Sequence, residues 1–257
     1  MTRNLLSIAG YDPSGGAGVG LDLRVFGRLG FRGYGVLTAV TAQDARRVAA
    51  VCPLPAGLVR GQVRALERGR RFRGIKVGML GSRENLAAVS GILGAHPGLP
   101  RVVDPVLRST SGFRLLEARG AAEFLRLLRG SASLLTPNLD EASALAGLRV
   151  GSVEAMKEAA RRIAGECGVP CLVKGGHLRG EVADVLHDGR ELSVFRHRRL
   201  RRSVHGTGCF LSAAILGYLA DGLGLEEACG RGIALTARSI GRSVAAGRGR
   251  RVFGVIP

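Results

Sequence analysis

Residues 203–221 read SVHGTGCFLSAAILGYLAD, a glycine-rich turn running straight into a long apolar segment free of proline. The apolar run Phe210 to Ala220 is too short to span a bilayer and has the length of a buried core helix. His205 to Cys209 then occupies the first turn of that helix, where backbone N–H groups lack intrahelical partners. Glycines at 206 and 208 let the chain come close to a ligand, and the free N–H groups together with the helix dipole favour a phosphate or a developing oxyanion. Cys209 stands where the same field favours a thiolate. A glycine turn that merely enters a core helix explains the pentapeptide equally well, so the rest of the chain has to decide.

Upstream, Val182 to Leu186 and Leu192 to Phe195 flank His187-Asp188-Gly189-Arg190, and Asp-Gly between two alternating runs predicts a hairpin. Downstream, a final helix is expected from Leu225 to about Val244. Before the hairpin the pattern is strand followed by helix, repeated. Asn4 to Ala9 is a short apolar run, GYDPSGGAG is a turn, and Val19 to Leu29 carries apolar residues at helical spacing. Strands are predicted at Tyr34 to Ala42, Ile75 to Met79, Arg101 to Val103, Ser133 to Thr136 and Cys171 to Lys174. Helices are predicted at Leu58 to Arg68, Glu84 to Leu93, Ala121 to Leu128, from Pro137-Asn138 onward, and at Val153 to Cys167. Such alternation predicts a three-layer α/β/α sandwich, a mainly parallel doubly wound sheet with an antiparallel hairpin at one edge, in one domain over residues 1–257.

Sheets of this kind bind ligands at the carboxyl ends of their strands. Gly10 to Gly18, Gln43, Asp104, Asn138 with Glu141, Lys174 and the His205 turn all fall there, and that coincidence over six loops points to an enzyme. Taken singly, several have plain structural explanations. Asp104-Pro105 could stop a helix, and Asn138 with Glu141 three residues on could be a capping box. Lys174 ahead of Gly175-Gly176 is more suggestive, because a lysine can reach a phosphate that the glycines let approach. GGAGVG at 15–20 has neither the GxGxxG spacing nor the lysine-serine ending of a P-loop. Together the residues supply what phosphoryl transfer needs: cations and backbone donors for phosphates, carboxylates near a metal, and a group to receive a proton.

The chain has 257 residues, 46% of them hydrophobic, enough for a large core, with no apparent signal peptide or membrane segment. Five scattered cysteines without CxxC spacing suit a reducing cytoplasm. The formal charge of +18 invites comparison with nucleic-acid binders. Yet 35 of the 38 basic residues are arginines spread along the chain, and aromatic residues make up only 4%, so platforms for stacking bases are scarce. The densest run, Arg196 to Arg202 (RHRRLRR), reads as a solvated face or strand edge, and no specific nucleic-acid partner is expected.

GYDPSGGAGVGLDL, TAVTAQD, KVGML, VVDPVL, LTPNLDEA, VKGGH and VHGTGCFLSAA follow one another in an order that resembles the hydroxymethylpyrimidine/phosphomethylpyrimidine kinases of thiamine biosynthesis, over nearly the whole chain. The resemblance implies a ribokinase-like fold, ATP and magnesium as cofactors, a pyrimidine substrate and a homodimer. It also implies roles. Gln43 would hydrogen-bond the aminopyrimidine, Asp22 would orient the ring or its hydroxymethyl group, and Gly10, Met79 and Val106 would lie against it. Gly206, Thr207 and Gly208 would form the anion hole, with Cys209 where the wider superfamily has an aspartate base. Lys174, Thr207 and Asn138 would meet the nucleotide, and Asp104, Asn138 and Glu141 would manage magnesium, partly through water. Tyr11 stands where a small Thr or Ser is usual, Gly20 where Gln is usual, and Arg108-Ser109 where AK or AT is common. Two other readings are a pyridoxal kinase of the same subgroup, in which methionine can replace Gln43, and a pyrimidine sensor without turnover.

Overall fold

The computed structural model describes residues 3–44, 47–107, 120–176, 178, 182–199, 202–246 and 251–254. Arg108-Ser109, His177 and two members of the basic run, Leu200 and Arg201, lie outside them. The elements follow in the order β1 (Asn4–Tyr11), α1 (Gly18–Arg28), β2 (Arg32–Gln43), β3 (Val48–Pro53), α2 (Ala56–Glu67), β4 (Ile75–Val77), α3 (Arg83–Gly94), β5 (Arg101–Val103) and α4 (Gly120–Leu127). Then come β6 (Leu134–Leu135), α5 (Leu139–Ala146), α6 (Val153–Cys167), β7 (Cys171–Val173), β8 (Val182–His187), β9 (Leu192–His197), α7 (Thr207–Ala220), α8 (Leu225–Gly241), β10 (Val244–Ala245) and β11 (Arg251–Val252).

Among the described residues, nine strands form one sheet in the order β3-β2-β1-β4-β5-β6-β7-β8-β9. The five pairings from β2 through β7 are parallel. β1 is buried from Asn4 to Gly10, as befits a central strand covered on both faces. Strand order reverses between β1 and β4, which is where a doubly wound sheet opens a ligand crevice.

Side-chain alternation divides the core in two. Leu6, Ile8, Ile75 and Val77 join the cluster under α2 to α6, whereas Leu5 joins the cluster under α1, α7 and α8. α7 is apolar all round because it is enclosed all round, with Phe210 stacked on Phe253 at 4.4 Å. Local signals set several boundaries. Ser82 and Ser152 cap α3 and α6 through their side chains, and Gly147 and Gly168 end α5 and α6 in the left-handed region.

The expected hairpin is β8–β9, antiparallel at one edge, and β8 also runs antiparallel to β7. Two features depart from the sequence reading. β3 is a second antiparallel edge strand, paired with β2 from Ala39–Pro53 to Gln43–Val48, and α8 ends at Gly241 rather than near Val244. Val244 pairs instead with Val252 in a small separate ribbon. No helix among the described residues is long and apolar enough to cross a membrane.

Candidate active site

The start of α7 is the fixed point of the site. Gly206, its N-cap, has φ 82°, and a Cβ there would run into the Gly16 carbonyl oxygen and Leu21, so only glycine fits. No side chain caps this helix and no acid sits in its first turn. The Thr207 hydroxyl donates back to the Val204 carbonyl at 2.8 Å, away from the helix mouth. The first N–H groups of α7 are therefore left for an anion. A Cβ on Gly208 would lie 3.0 Å from Lys174 Nζ and 3.3 Å from Asp104 Oδ2, so the bare backbone of Gly208 faces these two side chains.

Lys174 and Asp104 come from the ends of two strands, β7 and β5, that flank β6. Lys174 follows β7, where its N–H donates to the Pro137 carbonyl at 2.8 Å, and Asp104 follows β5, where its N–H donates to the Val77 carbonyl at 2.9 Å. Lys174 Nζ donates to Asp104 Oδ1 at 2.6 Å, and the Thr136 hydroxyl adds a 3.3 Å contact to the same oxygen. Burial alone would push the Lys174 ammonium down, but the carboxylates of Asp104 and Glu141 outweigh that and hold it above its ordinary value.

Asn138 and Glu141 do form the capping box of α5: Glu141 N–H donates to Asn138 Oδ1 at 2.9 Å and Asn138 N–H to Glu141 Oε2 at 2.8 Å. The structural explanation is thus realised without removing either residue from the site. Burial, and after it the nearby Asp104 charge, push the Glu141 carboxyl up to about 8 against the pull of Lys174. Among the described residues no group of three His, Cys, Asp or Glu side chains could hold a metal alone. Magnesium is commonly held by one or two carboxylates together with substrate phosphates and water, and Asp104, with Oδ2 toward Gly208, fits that requirement.

A second ion pair lies beneath. Lys76, which the sequence reading passed over as part of a strand, donates to both oxygens of Asp22 at 3.0 and 2.9 Å, and the Ser7 hydroxyl donates to Asp22 Oδ2 at 2.6 Å. Lys76 and Asp22 are each 0% exposed. Asp22, expected to orient a substrate, has its carboxylate enclosed by these partners. Burial would lower the Lys76 ammonium, but Asp22, together with Cys209 and Asp104, holds it above its ordinary value.

Cys209 differs from expectation for the same reason. Burial pushes its thiol up to about 11, opposed by Lys76 but reinforced by the carboxylates of Asp22 and Asp104. The helix-start field does not make it a thiolate at rest.

Gly10 packs against the Met79 methyl, which a Cβ there would have to displace, and the Thr38 hydroxyl donates to the Met79 carbonyl at 2.6 Å. Val106 follows Asp104, its N–H donating to the Asp104 carbonyl at 2.8 Å. Gln43 ends β2, and its amide lies 3.0 Å from His205 Nε2, which in turn lies 3.0 Å from Asp12 Oδ2. One ring nitrogen cannot accept from an amide and donate to a carboxylate together. The Nε2–H donates to Asp12 Oδ2, and the Gln43 amide is then in contact with the ring without a full hydrogen bond to it. Burial would raise the Asp12 carboxyl, but His205 and Ser14 outweigh it and hold the group below its ordinary value. The His205–Asp12 pair escaped the sequence reading, although both residues lie in the motifs VHGTGC and GYDPSGGAG.

A doubly wound sheet whose carboxyl edge sets a bare helix start over a lysine-aspartate pair defines the class: the molecule is an α/β phosphotransferase with the ribokinase-like fold. A family model described as phosphomethylpyrimidine kinase matches residues 12–253. The chain is 42% identical over 231 residues to the hydroxymethylpyrimidine/phosphomethylpyrimidine kinase of Rhizobium meliloti, covering 89% of this chain and 86% of that one. The chain therefore belongs to the phosphomethylpyrimidine kinase family. Among solved structures, the phosphomethylpyrimidine kinase of Clostridium difficile 630 superposes with a TM-score of 0.81 at 33% identity, covering 93% of this chain and 100% of that one. The pyridoxal kinase of Staphylococcus aureus, in complex with AMP-PCP, superposes with a TM-score of 0.90 at 30% identity, covering 100% and 94%.

Proposed function

We propose that the protein transfers the γ-phosphoryl group of ATP to the hydroxymethyl oxygen of 4-amino-5-hydroxymethyl-2-methylpyrimidine, and a second to the resulting monophosphate, yielding the diphosphate used in thiamine synthesis. The observation that carries this reading is Gln43 at the end of β2, its amide beside His205, the residue before the N-cap of the bare start of α7. An aminopyrimidine edge offers a donor and an acceptor together, which is what a side-chain amide can pair. The reading further takes residues 1–257 as a single kinase domain, acting as a homodimer in the cytoplasm. All five cysteines being free suits a reducing compartment.

The chain contributes mainly position and charge. The N–H groups at the start of α7 receive the phosphoryl oxygens, and Lys174 neutralises charge that spreads over them in a loose transition state. Asp104, Asn138 and Glu141 would hold magnesium, in part through water, and bound magnesium neutralises the nucleotide phosphates. Such a transition state asks little of a base. Cys209 accordingly acts as a thiol at the start of α7, and the hydroxyl proton passes late to an oxygen of the transferred phosphoryl group or to water.

The likeness to a pyridoxal kinase favours pyridoxal as the second reading. Purified protein given ATP, magnesium and each acceptor separately, with product masses read out, distinguishes them. The pyrimidine mono- and diphosphates are expected. Phosphorylation of pyridoxal alone would overturn the reading.

A further inference from the structure

The basic run at the end of β9 holds two residues whose side chains are tied to the chain after Lys174. Asp184 on β8, only 5% exposed, accepts from Gly175 N–H through Oδ1 at 2.8 Å, and His197 Nε2 meets its Oδ2 at 3.1 Å. β9 pairs so that Val182 opposes His197 and Asp184 opposes Phe195, which makes His197 the diagonal neighbour of Asp184 on the same face. The carboxylate thereby ties Gly175 to β9. Two residues further along, the Arg199 guanidinium donates to the carbonyls of Gly176 and Leu178. Gly175 itself has no room for a Cβ against the Ala183 carbonyl, so the backbone after Lys174 lies flush on β8. The segment is thus held at the Gly175 N–H by Asp184 and at the Gly176 and Leu178 carbonyls by Arg199.

We propose that His197 and Arg199 are positioning residues for the nucleotide: through Asp184 and the backbone groups of Gly175, Gly176 and Leu178 they fix the chain that follows Lys174, and so set the affinity for ATP and ADP rather than for the acceptor. The segment is a clamp on the nucleotide side of the site, not an unspecialised solvated edge. The proposal rests on the reading that Lys174 serves the nucleotide phosphates. Lys174 is the residue before the clamped turn, and its Nζ stands 2.6 Å from Asp104, so a shift of the turn moves the ammonium relative to the start of α7. Small misplacements of a group that handles phosphate cost large factors.

The test is calorimetric binding of ADP with magnesium, and separately of the pyrimidine, to His197→Ala, His197→Gln and Arg199→Ala. Arg199 is exposed, so its replacement leaves folding intact even where His197→Ala does not. Loss of the hydrogen bonds should weaken ADP binding by about five- to tenfold in both alanine variants. Pyrimidine affinity should stay within about twofold, and His197→Gln, which keeps a donor, should recover most of the loss. ADP affinity unchanged in Arg199→Ala, or an equal loss toward ADP and pyrimidine, would overturn the clamp. ADP binding needs no acceptor, so it also separates this inference from the substrate assignment.

Discussion

Lys174 Nζ and Asp104 Oδ1 lie 2.6 Å apart directly under the backbone of Gly208, where there is no side chain to separate them from the first turn of α7. This arrangement couples three separate chain segments, at residues 104, 174 and 208, at the point where a phosphoryl group must be received.

Gly208→Ala separates function from folding at that point. Alanine is the better helix former by about 1 kcal/mol, so stability should hold or rise. The added methyl, 3.0 Å from Lys174 Nζ and 3.3 Å from Asp104 Oδ2, should displace the pair and lower kcat by about 10²-fold, the scale of losing one oxyanion donor. Steady-state kinetics beside a urea melt check this, and unchanged kcat would remove Gly208 from the cradle.

Lys76 and Asp22 form a pair with both side chains wholly buried, so each depends on the other. Lys76→Met or Asp22→Asn alone should cost about 3–5 kcal/mol, because one charge is left uncompensated, while the double variant should recover most of that loss. Chemical denaturation of the three variants gives the coupling. Additive losses would mean that the two charges do not compensate each other.

Cys209 should behave as a thiol. With its thiol pushed up to about 11, the thiolate fraction at pH 8 is small and grows with rising pH through that value. In a Cys52→Ser background, which removes the exposed cysteine, carboxamidomethylation of Cys209 followed by mass should accelerate up to at least about pH 10. A rate that levels off near neutral pH would show a resting thiolate and restore Cys209 as base.

Gln43→Met should weaken pyrimidine binding by about 1–3 kcal/mol, the cost of leaving buried polar groups unpaired, and leave ADP binding unaltered. Calorimetry with each ligand measures both. Equal pyrimidine affinity would take Gln43 out of recognition.

Most of the fold is legible in the sequence because the parallel strands and their helices carry strong local signals: β5 and α6 begin and end where the apolar pattern begins and ends. β3 is not legible. Its residues Val48 to Pro53 are exposed or half-buried on both faces, so no alternation marks them, and their pairing with β2 supplies the order. The site divides along the same line. Gly206, Gly208, Lys174 and Asp104 announce themselves as glycines and charges at strand and helix ends. Lys76 does not, since a lysine inside a strand reads as solvent-facing, and only the fold brings Asp22 against it from 54 residues away. Cys209 shows the limit of local reasoning about charge: a helix start favours the thiolate, but burial beside Asp22 and Asp104 reverses the outcome.

The central claim, that this site phosphorylates a hydroxymethylpyrimidine, is tested most directly by kcat/KM for 4-amino-5-hydroxymethyl-2-methylpyrimidine and for pyridoxal under the same saturating ATP and magnesium. The expected result is a preference for the pyrimidine that shrinks by about tenfold or more in Gln43→Met, matching the binding loss at that residue. A higher kcat/KM for pyridoxal, unaltered by Gln43→Met, would contradict it.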